Sequence, residues 1–193
     1  MQILDVNGNV LAENETIFEM SQLVEKAVKQ GCSLRNADLI GYYLGHTSLN
    51  MANLKGANLT NAALNGCDLR CANLEGANLF GANLSYTFLD STKLTNANLK
   101  LARLPSPPMV LLANWGELSD ELTADLMVWD SLNHPDPTTF DRWAEGGECP
   151  YIANSRVIRS AFFKEKRELW GKGKVCPPYK LMERVLAEKC PDW

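Results

Sequence analysis

Cysteine and histidine carry the reactive chemistry of this sequence, and the most suggestive set lies in its second half. Cys149, Cys176 and Cys190 each precede a proline, and His134 lies upstream of them. Together they could supply a Cys₃His donor set, the kind that holds zinc tetrahedrally. The spacings between them are long, and no C-x-x-C pair is present. The same cysteines fit two other roles, as small hydrophobes packed in a core or as members of a disulfide or redox pair. Packing is the favoured reading, and zinc is the cofactor alternative.

Other chemistry is thinly represented. There is no G-x-S-x-G, no phosphate loop and no H-E-x-x-H, and His46 and His134 are the only histidines. No carboxylate pair stands out among 23 acids. The run Lys164-Glu165-Lys166-Arg167-Glu168 mixes signs and reads as a solvated helix face. Trp115, Trp129, Trp143 and Trp170 could stack nucleic-acid bases, but Trp beside Leu at helical spacing reads first as core. The sequence therefore predicts no enzyme.

The elements that would position such side chains are dominated by one pattern. From Leu34 to Leu104 every fifth residue is leucine. Two positions before each leucine the residue is small, as at Cys32, Ala37, Thr47, Ala52 and Cys67, with Tyr42 the exception. A period of five fits neither a helix nor a strand. Sustained short-period self-similarity is the signature of a solenoid, whose units bury their apolar faces only by stacking. A narrow coil holds one large side chain per unit, so its inward partner must be small. The other positions face water, with Asn or Asp preceding Leu at 38, 53, 58, 68, 73, 78, 83 and 98. Cys71 falls on an outward position and should be the most reactive thiol.

The phrase N-L-x-G-A-N-L recurs from Asn53, Asn73 and Asn78. It resembles the pentapeptide-repeat family, with its A-[DN]-L-x-x consensus. The resemblance implies a right-handed quadrilateral β-helix, four repeats per turn and under four coils over residues 32–104. It also implies a non-enzymatic protein-interaction module of unidentified protein partner. Some relatives mimic duplex DNA and bind DNA gyrase, so a phage-type inhibitor of a host nucleic-acid enzyme is the alternative. Residues 31–104 carry six bases against four acids. A basic, short rod is a poor copy of a phosphate backbone. Members often dimerise through the last coil, so a homodimer is a further expectation.

Tyr42, Tyr43, His46, Tyr86 and Phe88 interrupt the regular pattern. They read as cover for neighbouring elements or, in the functional alternative, as a contact patch of Tyr43, His46, Tyr86 and Phe88.

The flanks complete the expected layout. Residues 1–31 read as a β-hairpin with a type I′ turn at Asn7-Gly8, then a helix opened by a Thr16/Glu19 capping box and closed by Gly31. This pair resembles the N-terminal cap of phage-type pentapeptide-repeat proteins, and it would shield the first coil's edge. Residues 105–108 hold three prolines and read as a break in the ladder. Residues 109–193 read as an α-helical unit containing every Trp, including Trp193. Its helices are expected from Ser119 to Asn133, from Asp136 to Gly146, from Ser155 to Trp170 and from Pro178 onward.

A net charge of −4 is too small to name a partner and argues against direct nucleic-acid binding. No apolar run is long enough for a membrane span. The first fourteen residues, with Asp5 and Glu13, lack a signal peptide's basic start. The expected setting is cytoplasmic, with reduced cysteines.

Overall fold

The computed structural model describes residues 1–134, 136–147, 163 and 165–191. The repeat region forms a ladder of parallel single-residue bridges between positions twenty apart, such as Asp38 to Asn58, Asn58 to Asn78 and Asn78 to Asn98. Twenty residues therefore complete one turn made of four five-residue sides. The Leu39 N–H donates to the Asn58 carbonyl at 2.8 Å, and the Asn58 N–H returns to the Ala37 carbonyl at 2.8 Å. Each corner closes locally, as where the Ala37 N–H donates to the Leu34 carbonyl at 3.1 Å. From Leu34 to Leu99 the residue two after each leucine takes a positive φ, between +55° at Asn61 and +69° at Gly56 and Gly66. That is the i+2 requirement of a type II turn.

The interior is the predicted leucine stack. Leu34 to Leu99 along the five-residue register are at most 2% exposed. Burying each such side chain contributes roughly 1.5–3 kcal/mol. The small inward positions also satisfy backbone groups. The Cys67 thiol donates to the Leu44 carbonyl at 2.8 Å, and the Thr92 hydroxyl donates to the Leu69 carbonyl at 2.7 Å. Gly66 shows how tightly the corners stack. Its φ is +69°, and a Cβ there would lie 2.5 Å from His46 Nδ1 of the turn before.

The hairpin is β1 (Gln2–Leu4) and β2 (Val10–Glu13). Its turn differs from the expected type I′. The Gly8 N–H bonds the Asp5 carbonyl at 3.0 Å, and of the loop residues only Gly8 has positive φ. This is a type I turn followed by a left-handed glycine, the three-residue hairpin loop. The Asp5 carboxylate explains the preference, accepting the Asn7 and Asn9 N–H groups at 2.8 Å each. The hairpin docks on the first coil. The Val6 N–H donates to Asn36 at 3.0 Å, and the Asp38 N–H donates to Leu4 at 2.8 Å.

Helix α1 (Met20–Lys29) buries Met20, Leu23, Val24 and Ala27. The expected capping box does not form, because the Thr16 hydroxyl is bound to Asn14 Oδ1 at 2.8 Å. Asn14 instead holds the Thr16 and Ile17 N–H groups, at 2.9 and 3.1 Å. Gly31, at φ +72°, ends the helix as predicted.

The proline segment does not end the ladder. Pro107–Leu111 forms a short helix, α2, in place of one side. Proline is tolerated at its start because those N–H groups need no intrahelical partner. The chain then rejoins the coil, with the Leu94 N–H donating to Asn114 at 2.9 Å and the Asn114 N–H donating to Thr92 at 2.7 Å. Ala113-Asn114-Trp115 repeats the small-polar-large pattern, with Trp115 buried in the leucine's place.

Beyond it lie α3 (Asp120–Leu132), α4 (Thr138–Ala144) and α5 (Pro178–Lys189). Leu122, Leu126 and Trp129 are buried as expected, but Leu132 is 61% exposed at the frayed end of α3. Helix α5 packs on α2 and α3 through Leu181, Val185 and Leu186. Asp125, buried on α3, accepts from the Lys174 N–H at 2.6 Å and from the Arg184 guanidinium. Most of the helix expected from Ser155 to Trp170 lies outside the described residues. Its end is a 3₁₀ turn at Arg167–Leu169. No helix among the described residues is long and apolar enough to cross a membrane.

Candidate functional site

The four aromatic and histidine candidates gather around one corner of the coil. His46, Gly66 and Tyr86 occupy equivalent corner positions in successive turns, each with positive φ. Tyr43 lies on the side before this corner, with its ring over Gly45. Phe88 lies on the side after it, bridged to Asp68. The patch is nevertheless two pairs. Tyr43 and His46 belong to the first turn, Tyr86 and Phe88 to the third, about 10 Å along the axis at one strand spacing per turn.

The second pair lines a cavity. Tyr86 is 85% exposed and Phe88 is 50% exposed. They form one wall of a groove of about 580 Å³ whose other wall is Leu104, Pro105, Ser106 and Met109. The groove exists because α2 leaves the square outline of the coil just where the next corner would fall. Phe88 is braced by the Arg70 guanidinium, 5.8 Å from its ring centroid. Arg70 is itself fixed by Asp68, through contacts of 2.8 and 2.7 Å. That pairing holds the Asp68 carboxyl below its usual range.

The cysteines behave differently from one another. Cys67 is fully buried, and desolvation pushes its thiol up to about 11. Cys71 is exposed at a corner with φ +58°. Cys190 is half-buried against the last turn of the coil, 3.9 Å from the Ala97 carbonyl. Burial raises its thiol as well. Cys176 packs against the core. His134 Nδ1 receives the Asp136 N–H at 3.0 Å, and its ring meets Phe140 edge-on at 5.6 Å. Among the described residues no three His, Cys, Asp or Glu side chains come together as a metal site. Cys149 lies outside the described residues, so the proposed Cys₃His set is seen only in part.

The sequence reading missed one feature of the site. Residues 105–108 read as a break in the ladder, although Ala113-Asn114-Trp115 signals the return to the coil.

The ladder, the type II corners and the leucine stack define a β-helical solenoid. Residues 30–70 and 72–105 match the family described as pentapeptide repeats, in eight copies. Over that stretch the chain carries pentapeptide repeats, and their ladder is a β-helix with four sides per turn. No curated protein matches the chain. Among solved structures it is similar to a pentapeptide repeat protein from the Arabidopsis thaliana thylakoid lumen. That pair is 26% identical over 42% of this chain and 57% of the other, with a TM-score of 0.37. A pentapeptide repeat protein from the cyanobacterium Nostoc is 26% identical over 53% of this chain and all of its own, at a TM-score of 0.39. One from the cyanobacterium Cyanothece is 31% identical over 42% of this chain and 58% of its own, at 0.30. This chain thus spans little more than half the length of the first and the third.

Proposed function

We propose that this chain is a non-enzymatic protein-interaction module whose main contact surface is the Tyr86–Phe88 groove. The observation that carries the reading is the exposure of Tyr86 and Phe88 beside an apolar wall. Exposed aromatics that are already held in place lose little conformational freedom on binding, and Tyr and Arg are enriched among residues that dominate interfaces. Phe88 is held by Arg70, and Tyr86 stands on the corner before it. Tyr43 and His46 extend the same edge toward the N-terminal cap. The partner is a protein, in a cytoplasmic setting; a second copy of the chain is the other occupant to be tested. The positive balance of the rod disfavours the gyrase-directed alternative.

The test is affinity capture from host lysate after nuclease treatment. The wild-type chain should retain a partner that a chain carrying Tyr86→Ala and Phe88→Ala loses. A partner retained equally by both would remove the groove from the reading.

A further inference from the structure

The last full turn of the coil leaves one side open. From Leu34 to Leu84 the N–H of each central leucine, and through Gly81 that of the corner residue two later, donate to the next turn. Leu79 donates to Asn98 at 2.8 Å and Gly81 to Lys100 at 2.9 Å. The residue opposite also returns its own N–H, as Asn98 does to Ala77 at 2.9 Å. On the last turn, among the described residues, the Leu99 and Leu101 N–H groups have no acceptor, and the Ala97 carbonyl is met only by the Cys190 thiol, at 3.9 Å. Ala97 and Leu99 border a cleft of about 210 Å³ lined by Asn96–Lys100 on the coil and by Lys189, Cys190 and Pro191 at the end of α5.

Neighbouring edges of the same coil are already occupied by extended backbone. On the adjoining side the chain lays Leu112–Asn114 across the ladder, and at the other end the hairpin pairs with Asn36–Asp38. The open side is therefore a hydrogen-bonding template of the kind that takes an added strand. Two lysines line it. Lys100 has no ion-pair partner among the described residues, and Lys189 is held at the rim by the Glu117 carbonyl. Lys189 also pairs with Glu188, 3.7 Å from its Nζ, and that carboxylate accepts from Ser119 at 2.8 Å.

We infer that the open side Ala97–Leu101 binds an extended acidic peptide segment of a partner protein, added as a parallel strand. One peptide residue takes the Leu99 N–H on its own carbonyl, beside the Cys190 thiol that meets the Ala97 carbonyl. The residue two further on accepts from the Leu101 N–H. An acidic side chain beside them meets Lys100 and Lys189. The inference rests on the interaction reading but uses a surface separate from the Tyr86–Phe88 groove.

The test uses the full chain and a fluorescein-labelled octapeptide of alternating Thr and Glu, read by anisotropy. The acidic peptide should bind at least tenfold more tightly than its Lys-for-Glu counterpart. Lys100→Glu, at an exposed position, should weaken binding at least tenfold, while Lys172→Glu, the same charge change far from the cleft, should leave it within twofold. Backbone N-methylation of the peptide should also weaken binding, and hydrogen exchange at Leu99–Leu101 should slow in the complex. Equal binding of both peptides, or equal losses in the two lysine variants, overturns the site. So does a free protein that sediments as a dimer with these amides already protected, because a second copy then fills the edge. If the peptide fails while the partner still depends on Tyr86 and Phe88, the interaction reading stands and this site falls.

Discussion

Leu69→Ala probes the stack where it is best supported. Leu69 is fully buried, with Leu49 and Leu89 at equivalent positions in the turns on either side. Its carbonyl is fixed by the Thr92 hydroxyl at 2.7 Å, so the backbone cannot easily close over a void. Leucine-to-alanine changes in rigid cores cost about 2.7–5.0 kcal/mol, rising with the cavity that remains. A site packed from both ends of the coil belongs in the upper half of that range, at about 4 kcal/mol. Leu99→Ala is the comparison. Leu99 is equally buried but borders the open cleft at the end of the coil, where the structure can relax. Its cost should be nearer 2–3 kcal/mol. At roughly 2–4 °C per kcal/mol for a chain of this size, Leu69→Ala should lower the melting temperature by about 8–16 °C. Far-UV circular dichroism follows the whole chain, while Trp fluorescence follows only the part after Leu104, where every Trp lies. The coil signal should be lost first in Leu69→Ala. A loss below about 1 kcal/mol, or one smaller than that of Leu99→Ala, would refute the stacked-leucine account.

Two further outcomes follow from buried polar groups. Because the Cys67 thiol is pushed up to about 11, the unfolded chain gives up that proton at lower pH than the folded chain. Stability should therefore fall as pH rises from about 9 to 11, by up to about 2–3 kcal/mol at 1.36 kcal/mol per pH unit. Cys67→Ala should flatten that slope, and an unchanged slope would reject the assignment. In alkylation at pH 8, exposed Cys71 should react at once and Cys67 only on unfolding, with equal rates as the contrary result. Asp125→Asn should cost about 1–3 kcal/mol, because it removes the charge paired with Arg184 in a site only partly open to water. The loss should show in the Trp fluorescence transition, and wild-type melting by that probe would show the pair to be dispensable.

How legible the molecule was depended on the range of the interaction involved. The alternation of leucine with a small residue two positions earlier records a steric rule inside each five-residue side. It reads directly from Leu34 to Leu99, and those side chains are all buried. The corners were half legible. Gly41, Gly56 and Gly66 mark the positive-φ position, and counting two residues from each leucine would also have found His46, Cys71 and Tyr86 there. The Thr16/Glu19 motif misled because Asn14, nearer the turn, competes for the same hydroxyl and backbone donors.

By itself the sequence determined the coil, its register and its inward face, because each depends on residue size and turn conformation within a few positions. Only the tertiary structure decided where the coil ends. Whether an edge is covered depends on a segment arriving from elsewhere in the chain, and no local pattern records that arrival. Leu112–Asn114 closes one side, α2 replaces another and opens the groove beside Tyr86 and Phe88, and among the described residues no acceptor reaches the N–H groups of Leu99 and Leu101.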